Sequence, residues 1–192
     1  MADVATFWRA LMRSPTGVGA VAPSSGALAA QMVRSAGIGP DHVVVELGAG
    51  TGPMTRALVD AHPHNKLLVL EPDPGLAAAC RERVPEADVV EAFAQDLPAL
   101  MASRGYARAD RVVSSLPFAA WSDELQRAVL DAVLQVMAPD GRMVTFTYVH
   151  GPWLPAGRRV KQLLDERFAR VSSSPVVWGN VPPAFVYCCD RA

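Results

Sequence analysis

The chain has 192 residues, 51% of them apolar and 19% charged, with a formal net charge of −1 at pH 7. This length suits one domain with a full hydrophobic core that needs neither disulfides nor metals. The charge balance leaves no global basic field for counterion-driven nucleic-acid binding, and although mean hydropathy is slightly positive, no run approaches the ~20 apolar residues of a membrane span. Cys80, Cys188 and Cys189 are odd in number, lack CxxC spacing and follow no evident signal peptide. They read as packing residues in a reducing, cytoplasmic setting.

In chain order, residues 3–13 set Phe7, Trp8, Leu11 and Met12 on one helical stripe beside Arg9 and Arg13. Aromatics with flanking arginines suit the inner face of an anionic membrane, and they equally suit docking on the body of the domain. A small-residue loop, SPTGVGAVAPSS, then leads into a helix N-capped by Ser24 or Ser25. The IGP turn closes this helical entry segment, residues 1–40, ahead of the main body, residues 41–192.

Val43 to Gly52 reads VVVELGAGTG. A β-branched run, an acid and glycines at every second position describe a buried strand turning sharply into a helix, with Pro53 suited to the first helical position. Glycines admit close approach of a ligand to the backbone, and the first helical turn offers N–H groups to negative charge, so the stretch forms a nucleotide cradle. Glu71 ends a second apolar strand, KLLVLE, 19 positions after Gly52. A carboxylate there can accept both hydroxyls of a ribose. The pattern is neither the GxGxxG of dinucleotide enzymes nor a GxxxxGK[ST] phosphate loop. It resembles motif I of class I S-adenosylmethionine-dependent methyltransferases, which makes S-adenosyl-L-methionine the expected cofactor.

Farther on, His62 and His64 lie in the loop AHPHNK without a suitable third ligand, so no metal site is expected. Residues 76–84 read as helix and ADVVEAF as a third strand. RVVSSLPF, residues 111–118, forms a fourth strand whose closing turn faces the cradle, because open α/β sheets present their carboxyl ends to the ligand. A helix from Ser122 to Met137 begins on Ser122 as N-cap, with Asp123 and Glu124 in its first turn. Pro139, Asp140 and Gly141 turn the chain into strand five, RMVTFTYV. A helix over 156–168 precedes two last strands, ARVSSSPVVW and AFVYCC, joined by GNVPP.

Over nearly its whole length the chain resembles the bacterial phospholipid N-methyltransferase family, whose members methylate phosphatidylethanolamine. The resemblance is carried by TGVGAVAPSS, VVELGAGTG, VLEPD, VVSSLPF and WGNVPPAFVY. The same core is shared with the rRNA adenine dimethyltransferases. It implies a Rossmann-like class I α/β fold: a seven-stranded, mostly parallel sheet, a C-terminal antiparallel hairpin and an N-terminal helical entry segment.

The resemblance further implies that Glu46, Gly48, Ala49, Gly50, Thr51 and Gly52 line the methionine and ribose side of the cofactor. Glu71, with Pro72, meets the ribose, and Ser114 and Ser115 border the transfer site. The family's acid after strand three is absent, since Ala92 and Phe93 stand there. The resemblance leaves Gln95 and Asp96 as the polar candidates to hold the adenine amino group, and adenine then relies on stacking against Phe93, or on Asp96 reaching back. The asparagine of NLPY-type enzymes is replaced by Ser115, which argues against a flat adenine amino group as acceptor.

Methyl transfer to an amine is helped by a polar group near the acceptor, and Tyr148 and His150, at the pocket end of strand five, are placed for this. Phe118, Trp121, Trp153 and Trp178 can face a methylated ammonium or simply pack the core. Arg158, Arg159 and Lys161 can meet a lipid phosphodiester or anionic bilayer, or form a solvated helix face. The function expected is N-methylation of phosphatidylethanolamine or a related lipid. Alternatives are methylation of a small hydrophobic metabolite, cofactor binding without turnover, and RNA adenine methylation.

Overall fold

The structure, a computed structural model, describes residues 25–63 and 66–192. The stripe of Phe7, Trp8, Leu11 and Met12, the loop before Ser25, and His64 lie outside the described residues. The elements are α1 (Gly26–Ala36), β1 (Val43–Leu47), α2 (Pro53–Ala61), β2 (Lys66–Leu70), α3 (Pro74–Arg83), β3 (Asp88–Val90) and α4 (Leu97–Ser103). They continue with β4 (Ala109–Ser114), α5 (Asp123–Val136), β5 (Met137–Tyr148), α6 (Pro155–Arg167), β6 (Arg170–Ser173) and β7 (Ala184–Asp190).

The strands form one seven-stranded sheet in the order β3-β2-β1-β4-β5-β7-β6. β3 through β5 run parallel, whereas β7 lies antiparallel between β5 and β6. Helices cover both faces, which is why β1 is buried along nearly its whole length, Glu46 included. One face packs on α4, α5 and α6 through Leu97, Met101, Leu130, Val133 and Leu164. The other packs on α1 and α2 through Leu28, Met32, Met54 and Leu58, and on α3 through Ala77 and Cys80. Cys188 and Cys189 are buried on opposite faces of β7, as packing residues would be.

Local chemistry explains several boundaries. Ser25 N-caps α1, its Oγ accepting from the Leu28 amide at 3.2 Å, and Ser122 caps α5 in the same way through Leu125. Strand order reverses between β1 and β4, and a crevice opens beyond their carboxyl ends at such a point. The Ser115 amide donates to the Leu47 carbonyl at 2.9 Å, so the turn after β4 sits against the end of β1.

Some expected boundaries move. The third strand shrinks to Asp88–Val90, and the fourth spans Ala109–Ser114, not residues 111–118. Strand five starts at Met137, directly after α5, with the expected turn at Pro139–Gly141 as an irregularity inside it. Partners pass from Ala109↔Met137 to Arg111↔Arg142, so β5 accommodates the extra residues as a bulge. The close of the chain is a hairpin, but its connection runs from Ser174 to Pro183, bridged by Val177 and Ala184.

Candidate active site

The crevice is built from the ends of β1, β2 and β4. After β1 the backbone turns through Gly48, Gly50 and Gly52, all at positive φ. At Gly48, where φ is 79°, a Cβ would lie 2.8 Å from the tip of the Leu116 side chain, so glycine lets the β4 turn close against this loop without backbone strain or a shift of that side chain. At Gly50, with φ of 56°, a Cβ would meet nothing within 4 Å, so this backbone borders open space into which a ligand can press. Gly52 forms the N-cap of α2, and no side chain caps that helix.

Both acids of the site are buried. Glu71, just past β2, accepts from the Gly50 amide at 2.8 Å through one oxygen and from the Asp73 amide at 3.0 Å through the other. Burial raises its pKa, and the two backbone hydrogen bonds pull it back. Glu46 lies two residues beyond Val44 on β1 and therefore shares the sheet face covered by α1 and α2. It is fully buried and neither carboxylate oxygen has a hydrogen-bond partner. Its pKa is pushed up to about 8, chiefly by burial; nearby Thr55 lowers it and the charge of Glu71 adds to the rise. An orphaned buried carboxylate beside a glycine turn is suited to receive a cation.

A hollow beside this turn is lined by Gly48, Pro72, Phe93, Gln95, Leu116 and Trp121, among others. Phe93 and Pro72 are among its walls, and its volume is about 10 Å³. Asp96 is exposed, and its carboxylate accepts from the Phe93 amide at 3.1 Å, capping its own turn. Gln95 lines the hollow instead. The walls given by Leu116 and Trp121 are not identifiable as such from the chain; a buried tryptophan closely following the strand-four turn is the available signal. Gln126, itself buried, holds that wall by donating to the carbonyls of Phe118 and Trp121 at 2.8 and 3.1 Å.

Of the remaining site residues, Ala49 is buried, Thr51 is exposed, and Ser115 is half-buried beside β1. Ser114 is buried and its hydroxyl accepts from the Leu116 amide at 3.3 Å. The rings of Tyr148 and His150 are stacked nearly parallel, with centroids 5.7 Å apart and an interplanar angle of 6°. They stand at the end of β5, two strands and so ~10 Å across from β1. Burial raises the Tyr148 phenol above its ordinary pKa, which keeps it protonated at neutral pH.

The four aromatics divide. Phe118 and Trp121 are buried against each other at 5.4 Å, whereas Trp153 and Trp178 are exposed. Among the cations, Lys161 pairs with Asp165 and Arg159 reaches Asp123 at 3.8 Å.

A mostly parallel sheet of this order with β7 antiparallel, together with a glycine turn after its first strand and buried acids at the ends of β1 and β2, defines a class I methyltransferase. Comparison with known proteins agrees. Residues 44–141 match a family model described as a methyltransferase domain. An ornithine lipid N-methyltransferase from Singulisphaera acidiphila is 38% identical over 98% of this chain and 96% of its own. A ribosomal RNA small subunit methyltransferase A from Chlorobium limicola is 31% identical, but over 50% of this chain and 35% of its own. Among solved structures, the N-methyltransferase NodS from Bradyrhizobium japonicum superposes with a TM-score of 0.68 at 17% identity, covering 85% of this chain and 93% of that one. The chain belongs to the family of the Singulisphaera lipid N-methyltransferase, within the S-adenosylmethionine-dependent class I methyltransferases.

Proposed function

We propose that this enzyme N-methylates the amine of a membrane lipid, phosphatidylethanolamine or a lipid bearing an ornithine-type amine. The observation that carries the reading is the match to a lipid N-methyltransferase along nearly the entire chain. The shorter match to a ribosomal RNA enzyme reaches half of it.

S-adenosylmethionine supplies an electrophilic methyl group on a sulfonium. In this reading the Glu46 carboxylate receives the ammonium of the cofactor's methionine end, and Glu71 the ribose hydroxyls, with Gly48, Ala49, Gly50, Thr51 and Gly52 giving room for both. Phe93 and Pro72 flank the adenine, while Asp96 fixes the turn that carries Phe93. The orphaned oxygens of Glu46 and the unobstructed Gly50 support this assignment.

Transfer to an amine is an in-line displacement, so the chain needs to position the acceptor and dispose of one proton. An ethanolamine-like amine is protonated at neutral pH, and removing that proton costs about three pK units, or roughly 4 kcal/mol. His150 takes it, an imidazole being the side chain suited to proton exchange near neutrality. Tyr148 orients the imidazole by stacking, and Ser114 and Ser115 border the acceptor from β4.

The direct test is incubation with methyl-labelled S-adenosylmethionine and a total bacterial lipid extract, followed by separation of lipids. Label in an amine lipid is expected, and the labelled species names the acceptor. Tight cofactor binding with no labelled lipid would overturn the lipid assignment and direct the search to small hydrophobic amines.

A further inference from the structure

The large apolar side chains exposed among the described residues are Trp153, Leu154, Trp178 and Val181, at 75, 43, 74 and 82% exposure. All belong to two loops, the β5–α6 loop and the β6–β7 connection. These loops meet: Tyr148 pairs with Ala184, and the Val149 amide donates to the Pro183 carbonyl at 2.9 Å. β5 ends and β7 begins here, so both loops stand at the sheet end that carries the glycine cradle, next to Tyr148 and His150.

Neither loop is loosely held. The Trp153 and Leu154 amides donate to the carbonyls of His150 and Gly151. Gly157 of α6 packs so closely on Gly151 that a Cβ would overlap its carbonyl. In the other loop Asn180 is buried; its side chain accepts from the Ser25 amide at 3.1 Å and donates to the Pro182 carbonyl at 2.7 Å. Braced backbones therefore hold two indole rings out in water, where apolar area of this size is unfavourable.

The two loops themselves carry only positive charge, while Asp123 lies 3.8 Å from Arg159 and Asp165 and Glu166 share a surface hollow with Pro152 and Arg158. From Val149 to Lys161 the chain carries Arg158, Arg159 and Lys161 and no acid, and from Ser174 to Pro183 it carries no charge at all. Arg158 is exposed and forms no ion pair among the described residues. Indole rings settle at headgroup depth, and adjacent arginines meet lipid phosphates. A second copy docking face to face would bring these cations against each other.

We propose that Trp153, Leu154, Trp178 and Val181, rimmed by Arg158 and Arg159, form the surface by which the enzyme docks on an anionic bilayer with its acceptor site facing the lipid. The proposal gives the lipid reading above its physical partner and rests on that reading for its purpose, but it is tested without turnover. The full chain, free of cofactor, is floated with vesicles of phosphatidylcholine and phosphatidylglycerol. A Trp153→Ser/Trp178→Ser variant with unchanged circular dichroism should partition about tenfold less or weaker still. Raised salt should weaken the wild type further, through Arg158 and Arg159.

Variants retaining a single tryptophan, at 153 or 178, should be quenched by lipids brominated near the headgroup end of the chain. Equal partitioning of wild type and double variant overturns the proposal, as does a wild type that stays off vesicles. So does a wild-type dimer that the double substitution dissociates, which would assign the patch to a second copy. If partitioning depends on the tryptophans while no lipid accepts label, docking stands and the lipid reading falls. If lipid in detergent micelles is methylated while partitioning ignores the tryptophans, the reverse holds.

Discussion

The Gly50 amide donates to the Glu71 carboxylate at 2.8 Å, joining the glycine turn after β1 to the end of β2. With its other oxygen on the Asp73 amide, Glu71 fixes two loops and still has lone pairs to offer a ligand. Replacing it with alanine removes a charged acceptor from two amides and from the ribose it is proposed to bind. A charge-assisted hydrogen bond contributes roughly 1.5–3 kcal/mol, so Glu71→Ala should weaken cofactor binding by at least about tenfold and lower the melting temperature. Calorimetric titration and thermal denaturation of the same preparation check both effects. A variant with wild-type affinity would remove Glu71 from the cofactor site.

Glu46 makes a pH-dependent contribution of opposite sense to that of a paired carboxylate. Its folded pKa is raised from 4.5 to about 8, so between these values the folded chain keeps a proton that the unfolded chain has lost. The stabilisation is complete below pH 4.5 and is lost as pH rises through 8. At about 1.4 kcal/mol per pK unit this amounts to a few kcal/mol across the window. Cofactor-free Glu46→Gln should lack that slope and, near pH 8, unfold no more easily than wild type. Wild-type cofactor binding should release a proton at neutral pH, seen as heat that varies with buffer ionisation, and should tighten as pH approaches 8. The Gln variant should bind weakly at every pH. An identical pH slope of stability in both proteins would show that Glu46 is not the group responsible.

The parts of this molecule written in short-range patterns were legible in the chain itself. The glycine spacing after Val43–Glu46, the distance to Glu71 and the caps Ser25 and Ser122 each encode a local backbone geometry. Properties set by tertiary packing were not. Trp121 and Trp153 look alike as letters, yet one lines the hollow and the other stands in water. Pro139–Gly141 is turn chemistry, but hydrogen bonding to β4 resumes on both sides of it and the strand runs through. Asp96 is a polar residue at a suitable distance after strand three, and its carboxylate is already engaged by the Phe93 amide. Loss of partners is likewise invisible: motif I gives no sign that Glu46 is held without a hydrogen bond.

Glycine substitutions separate folding from binding at the cradle. Gly50 holds φ of 56°, a conformation costing an L-residue about 1–2 kcal/mol, and a Cβ there meets no protein atom within 4 Å. Gly50→Ala should therefore lose about that much stability and fold, while its methyl group obstructs the cofactor and lowers affinity by a larger factor. Gly48→Ala adds a Cβ 2.8 Å from Leu116 and should lose more stability. Denaturant titration of both variants, alongside cofactor titration, orders them. A Gly50→Ala protein that binds as well as wild type would place the ligand elsewhere.

The stacked pair at the end of β5 makes the last prediction, on the pH dependence of turnover. Burial raises the Tyr148 phenol above its ordinary pKa, and in the proposed mechanism the proton passes to His150 instead. General-base assistance is worth about 10²–10⁴ in rate. His150→Ala should lower kcat for the first methylation into that range near neutrality, with the deficit shrinking as pH rises and the acceptor amine loses its proton unaided. Tyr148→Phe keeps the ring that stacks on the imidazole and should cost about tenfold at most, the worth of one neutral hydrogen bond. Rates with a lipid amine dispersed in detergent, measured over the range in which the amine titrates, distinguish the cases. If the His150→Ala deficit stays constant across that range, His150 does not carry the proton.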